Sequence, residues 1–400
     1  MPARSPEGWT LLLLGAFLLL GFVAHVAGRR AHVPRVTLLL LVGVLAGPSG
    51  LDLVPEAAER WFPLVSRTAL TMIGFLLGQH FKWKVLERTG RAVVTLSLVE
   101  SAAAALAVLG VLWAAGIDPV VALLFAAVAP ATAPAATLDV IRESGARGPV
   151  SKTVLRVVAI DDVWGVILFS VLLVAAHVGS GDGGALEAVL HGAWEIAGAV
   201  LLGVGLGLPM AWLSGRVRGG HLTLVETLGF VLLAAGAAQL AGTSYLITSM
   251  VLGAVVANAA RHHRRVFHAI EDVMEPFLIV FFLLAGFEFE LDVVWSMSLG
   301  GLLYVLARSA GKVAGASLGA RLARLRGPAR TWVGLCLLPQ AGVALGLGLM
   351  IRERHPEAGA TVLSTLVATT VLFELFGPLV TRFALARAGE TEGARGETSA

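Results

Sequence analysis

The chain has 400 residues, 57% of them hydrophobic and only 14% charged, with a formal net charge of +3 and a mean hydropathy of +0.83. A soluble domain carries about 25% charged residues, so this deficit, set beside apolar runs of about 20 residues, excludes an ordinary soluble domain and indicates a polytopic helical membrane protein. A single cysteine, Cys336, excludes an intramolecular disulfide and a cysteine metal cluster.

Thirteen spans are predicted, at 9–27, 33–54, 62–83, 90–116, 119–143, 151–177, 190–214, 224–242, 243–261, 273–294, 297–323, 331–351 and 358–387. The first reads as a retained helix with its N-terminus outside, because Arg4 alone precedes it while Arg29, Arg30 and Arg35 follow. Of the 30 Lys and Arg residues, 22 fall in loops on the side assigned to the cytoplasm, four outside and four within spans. One missing helix would reverse every later loop, so the positive-inside rule supports the alternation and puts the C-terminus in the cytoplasm of an inner (cytoplasmic) membrane. It also accounts for the basic pI near 9.4 without nucleic acid. Residues 1–388 form one transmembrane domain, and 389–400 read as a short disordered tail. No Gly-rich fingerprint follows a strand, so no nucleotide partner is expected.

Ionisable groups at mid-depth come next, in chain order. Span four carries Glu100. Span five is interrupted by Pro130-Ala131-Thr132-Ala133-Pro134; proline removes a donor and clashes one turn back, and the freed carbonyls with the Thr132 hydroxyl are hard oxygen ligands for a small cation. Span six holds Asp161 and Asp162, which point about 100° apart on a helix, so one can face a water-filled cavity while the other meets a partner. Span eleven places Arg308 and Lys312 on one face, four residues apart, and either can be the cation that answers the acid pair. Span twelve is broken at Pro339-Gln340-Ala341-Gly342, and span thirteen contains Glu374. Glu100 has a bland reading, a local pair with Arg156 or Arg67 that only holds helices together, and Glu374 has the same one. His262, His263 and His268 read as a solvated polar loop rather than a metal site.

Broken helices in corresponding positions of two halves point to a transporter site. With spans 2–6 and 9–13 as five-helix repeats, spans five and twelve are each the fourth member, and the repeats start on opposite sides. The fold class is therefore an all-α polytopic membrane protein of about thirteen helices, with inverted repeats and two broken helices crossing at the midplane.

These residues resemble the bacterial monovalent cation:proton antiporter-2 family, within the sodium/proton antiporter fold. The resemblance rests on Pro34-Arg35, the run from Gly43 to Leu51, Gly74 to Gly78, the Asp161-Asp162 pair, Glu275-Pro276 through Gly286, Gly311 to Gly315 and Pro339 to Gly342. It implies that Asp162 is the principal ligand for cation or proton, that Asp161 pairs with Lys312 when no cation is bound, and that Thr132 lines the crossing. It also implies a homodimer in which a core bundle moves against a dimerisation bundle. Two departures stand out: many relatives have Thr-Asp where this chain has Thr132-Ala133, and Arg308 lies one turn from Lys312.

The expected function is secondary antiport of a monovalent cation, Na⁺ or Li⁺ before K⁺, against protons, with no cofactor and no enzymatic activity. The acid pair and Lys312 favour electrogenic exchange. A sodium-coupled organic anion symporter on a related fold is the alternative, although it has no need of an intramembrane lysine facing acids. An aspartyl protease needs carboxylates opposed from different helices, which adjacent residues do not provide.

Overall fold

The computed structural model describes residues 6–31, 35–48, 50–51, 62–179, 185–214, 221–260, 262–289, 298–340 and 342–391. Helices and no strand occur among them, and each predicted span falls on helix. In chain order they are α1 (Pro6–Ala31), α2 (Arg35–Ala46), α3 (Phe62–Gly78), α4 (Trp83–Ala114), α5 (Pro119–Val128), α6 (Pro134–Glu143), α7 (Pro149–Gly179), α8 (Ala185–Ser214), α9 (His221–Leu240), α10 (Tyr245–Ala259), α11 (His263–Phe287), α12 (Ser298–Leu322), α13 (Ala329–Trp332), a 3₁₀ turn (Gly334–Leu337), α14 (Gly342–Arg354) and α15 (Pro356–Arg387). Four helices among the described residues are long and apolar enough to cross a membrane: Gly90–Ala114, Gly192–Ser214, Thr223–Leu240 and Pro356–Arg387. The pair Ala329–Leu337 with Gly342–Arg354, bent by 54°, makes a fifth.

Local chemistry explains the breaks. Asp118 caps α5 by accepting from the amides of Val120 and Val121 at 2.9 and 3.2 Å, with Pro119 preset for the first turn. Pro134 has no amide for the carbonyl one turn back, so α5 cannot run into α6. Gly90 sits at φ 80°, ψ 147° and bends α4 where its apolar part begins, a conformation glycine adopts without a Cβ clash.

The chain forms two compact units, Met1–Leu86 with Ala185–Phe289, and Glu87–Gly184 with Glu290–Ala400. In the first, Met72, Phe75, Met210, Val231, Leu252, Val256, Phe267 and Ile270 make a core, with the rings of Phe75 and Phe267 stacked at 4.9 Å. Two glycine crossings bring helix backbones together. A Cβ on Gly43 would lie 2.1 Å from the Leu283 carbonyl oxygen, and one on Gly286 would lie 2.2 Å from that of Leu40. At the second crossing, a Cβ on Gly78 would lie 2.3 Å from the Met250 carbonyl oxygen, and one on Gly253 would lie 2.1 Å from that of Phe75. Small residues at such contacts allow the close backbone approach that stabilises helices in lipid.

Two sequence expectations shift. Helix α11 begins at His263, ten residues before the predicted span ten, so His263 and His268 lie in helical turns rather than a loop. The cause is local: His268 answers Glu271 at 2.9 Å, and half-buried His263 accepts a hydrogen bond at Nε2 from Lys82 Nζ while Nδ1 faces the Ala260 carbonyl at 3.3 Å. In the second unit, the ordered chain reaches into the stretch read as a tail. Glu390 is buried and accepts from the amides of Val150 (2.6 Å) and Ser151 (2.8 Å) and from the Ser151 hydroxyl (2.8 Å). The free amides at the start of α7 need such a cap from elsewhere.

Two predictions follow from this packing. Gly253→Val is expected to destabilise the folded protein by about 1–3 kcal/mol or more, because the Phe75 backbone cannot yield as a side chain would. Gly236→Ala, with nothing within 4 Å of the added Cβ, is expected to leave thermal unfolding in detergent unchanged or slightly raised. Burial first, then the Lys82 ammonium, holds the His263 imidazole below its ordinary 6.5. The fold thus favours the neutral ring, and stability contributed there falls as pH drops below about 6.5. NMR titration is expected to show the His263 value rising in Lys82→Met; an unmoved value contradicts the contact.

Candidate functional site

Helix α12 supplies the cations. Leu299, Leu302 and Leu306 lie on an exposed face, while Tyr304, Arg308 and Lys312, spaced by four, share a buried one. Gly311, Gly315 and Gly319 then let α12 lie against α4. Added Cβ atoms would come within 2.9 Å of the Ala103 carbonyl oxygen, 3.0 Å of Glu100 Cα and 2.8 Å of Leu96 Cα. That approach brings the Glu100 carboxylate within reach of the lysine.

Lys312 Nζ donates to Glu100 Oε1 at 2.6 Å and to Thr132 Oγ1 at 2.9 Å, and lies 3.4 Å from Asp161 Oδ2. The Thr132 hydroxyl, positioned by the break between α5 and α6, donates to Asp161 Oδ2 at 2.5 Å. The other Asp161 oxygen accepts from Ser97 and Ser101 on α4, each at 3.0 Å. Glu100, Asp161 and Lys312 are all fully buried. Two carboxylates thus share one ammonium in a dry site, where removing one partner of such a pair costs about 3–5 kcal/mol.

Arg308 does other work. Its Nε donates to the Ala129 carbonyl at 3.1 Å, its two terminal nitrogens to those of Ala131 (2.6 Å) and Leu338 (2.9 Å), and its guanidinium stacks 4.3 Å from the Phe373 ring centroid. These are carbonyls that the breaks leave without helical partners. The Ala133 amide, which would have bonded Ala129 in a continuous helix, donates instead to the Pro339 carbonyl at 2.9 Å and ties one broken helix to the other. Thr137 Oγ1 adds a bond to the Cys336 carbonyl at 3.3 Å, and Gln340 Nε2 donates to the Tyr304 hydroxyl at 3.1 Å.

Several sequence expectations can now be placed. Thr132, Asp161 and Lys312 come together, and the breaks at Pro130–Pro134 and Pro339–Gly342 meet beside them. Arg308 is not the partner of Asp161: a planar fork with five donors fits several carbonyls at once, and it takes up oxygens that sequence alone offered to a cation. Glu100 pairs with Lys312 and not with Arg156, which is exposed on α7, nor with Arg67, which donates to Gln239 at 3.2 Å. Glu374 is buried on α15 and is outside the set of bonds just described. The Asp162 side chain lies outside the described residues, as do Pro34 and Ala341. Ser97 and Ser101 were missed by sequence reasoning. Their signal was their four-residue spacing astride Glu100, which puts both hydroxyls near that acid's face.

A family model described as the transmembrane sodium/hydrogen exchanger matches residues 14–387. The chain belongs to the sodium/hydrogen exchanger family. Among its relatives, an ammonium/proton antiporter subunit of Alkalihalophilus pseudofirmus is 26% identical over 283 residues, covering 68% of this chain and 69% of that protein. A sodium/proton antiporter of Pseudomonas aeruginosa is 27% identical over 292 residues, covering 66% and 67%. The solved sodium/proton antiporter of Methanocaldococcus jannaschii shares the fold, with a TM-score of 0.75 and 19% identity, over 95% of this exchanger-family chain and 100% of that one.

Arg308→Met is expected to lower the stability of this exchanger-family protein by about 3 kcal/mol or more, since three buried carbonyls lose charged donors. Arg308→Lys should recover only part of it, because one ammonium cannot span both broken helices. Thermal unfolding in detergent reads both, and a lysine variant as stable as wild type would contradict the role assigned to the guanidinium.

Proposed function

We propose that the protein exchanges a monovalent cation for protons across a cytoplasmic membrane, with Na⁺ or Li⁺ favoured and K⁺ possible. One observation carries this reading: the buried Lys312 ammonium lies against Asp161 at a crossing of two broken helices. An arriving cation and the ammonium compete for the same Asp161 oxygen. Thr132, Ser97 and Ser101 supply further hard oxygens, and Asp162 adds a second carboxylate from the next helical position. Binding the cation releases protons, and their return releases the cation, so competition alone couples the two flows. More than one proton per cation makes the exchange electrogenic. Members of the family are transporters, and the reaction requires no cofactor.

Thirteen crossings, an external N-terminus, a cytoplasmic C-terminus, a homodimer and alternating access belong to the same proposal. The glycine crossings support the inverted repeat. If spans 2–6 map onto spans 9–13, the contact between spans two and ten, through Gly43 and Gly286, maps onto that between spans nine and three, through Gly253 and Gly78. Spans four and eleven, and five and twelve, map onto each other, and each of these pairs meets at the site.

Proteoliposomes carrying a pH gradient and a pH-sensitive dye test the exchange. Addition of Na⁺, Li⁺ or K⁺ is expected to dissipate the gradient with wild type and at least tenfold more slowly with Asp161→Asn or Asp162→Asn. A wild type indifferent to all three cations from mildly acidic to alkaline pH contradicts the proposal and favours an organic anion symporter. Unaffected variants remove the roles given to the two acids.

A further inference from the structure

Lys312 touches two carboxylates, and they are not equivalent. Asp161 has donors on both oxygens: Ser97 and Ser101 on one, Thr132 and Lys312 on the other. Both Asp161 oxygens thus have their hydrogen-bonding capacity met. Glu100 has one good donor, Lys312 at 2.6 Å on Oε1. Among the described residues its Oε2 has the Ser101 hydroxyl as donor, at 3.4 Å, with the Asp161 carboxylate also beside Glu100. That hydroxyl has a single proton to give, and Asp161 Oδ1 takes it at the shorter 3.0 Å. Glu100 Oε2 is thus a fully buried oxygen without an adequate donor, next to a hydroxyl oxygen with lone pairs free to accept. A proton on Glu100 Oε2 turns this mismatch into a hydrogen bond, from Glu100 to Ser101 and on to Asp161.

We infer that Glu100 is a second proton-binding carboxylate of the exchange site, linked to Asp161 through the Ser101 hydroxyl. This rests on the exchange reading above and extends it. The transfer balances: the Glu100 proton passes to Ser101 Oγ as the Ser101 proton passes to Asp161 Oδ1, so one proton moves from glutamate to aspartate and the serine is restored. Glu100 brings a second carboxylate to the same ammonium from α4. The charged groups facing it are Lys312, with Arg308 one turn away on α12, and Asp161 on α7. When a cation takes Asp161, Lys312 keeps Glu100 as its counterion. The second proton of each cycle is then carried by Glu100.

Protons released per cation bound can be counted without transport, by adding sodium or lithium chloride to the full-length protein in weakly buffered detergent and measuring cation binding alongside. Glu100→Gln is expected to release roughly one proton fewer per bound cation than wild type, and Glu100→Asp the wild-type number. Equal release from wild type and Glu100→Gln overturns the inference while leaving the exchange reading intact. A wild type that releases no proton with either salt removes both. Should Glu100→Gln not fold or not bind, infrared difference spectra of wild type and Glu100→Asp decide. Loss of a protonated-carboxyl band on adding the cation, with the band displaced in Glu100→Asp, supports the inference, and a band the substitution does not move overturns it.

Discussion

One fully buried ammonium shared between two fully buried carboxylates is the constraint on which this structure turns. Lys312 cannot leave both acids, and neither acid can stay ionised in the membrane interior without a cation. The dry setting makes the site sensitive to any competing positive charge. In bulk water the same three groups would separate at a cost of about 1 kcal/mol and couple nothing. Burial is therefore part of the chemistry, and the glycine positions on α12 that bring Glu100 to the lysine belong to the site as much as the charged residues do.

The second requirement is backbone without helix at the same depth. Lipid does not tolerate it, so every freed carbonyl and amide has to find a partner in protein. Arg308 meets much of that requirement by bonding three carbonyls across two broken segments, and the Ala133 amide meets another part by crossing to Pro339. With these oxygens occupied, the oxygens left at the crossing are those of side chains: Asp161, Thr132 and the α4 serines. Arg308 fixes the crossing, and Lys312 one turn away holds the two acids.

Much of this was legible in the sequence. Each predicted span overlaps helix among the described residues, because about 20 apolar residues leave the backbone no other way to satisfy itself in lipid. The prolines located both breaks, and the charged residues within the spans include three, Glu100, Asp161 and Lys312, that the structure brings together. Sequence reasoning could not decide between Arg308 and Lys312, since both point the same way from α12 and only the position of the crossing carbonyls separates them. Glu100 was visible as an acid in a span, but its partner depended on how closely α4 and α12 approach, which three glycines set. Sequence alone puts His263 and His268 in a loop because the first turns of α11 are polar, and hydropathy marks only the apolar part of that helix. The Glu390 cap was hidden in a tail of disorder-prone composition, where one residue of use does not change the average.

A cation-bound structure of the protein, with a heavy monovalent ion such as Tl⁺ in place of the native one, tests the competition at Asp161 most directly. The account predicts density within about 3 Å of Asp161 and Thr132, with the Lys312 ammonium withdrawn from Asp161 and still paired with Glu100. An ion bound elsewhere in the membrane interior, or an ion at Asp161 with Lys312 still bridging both acids, would contradict it.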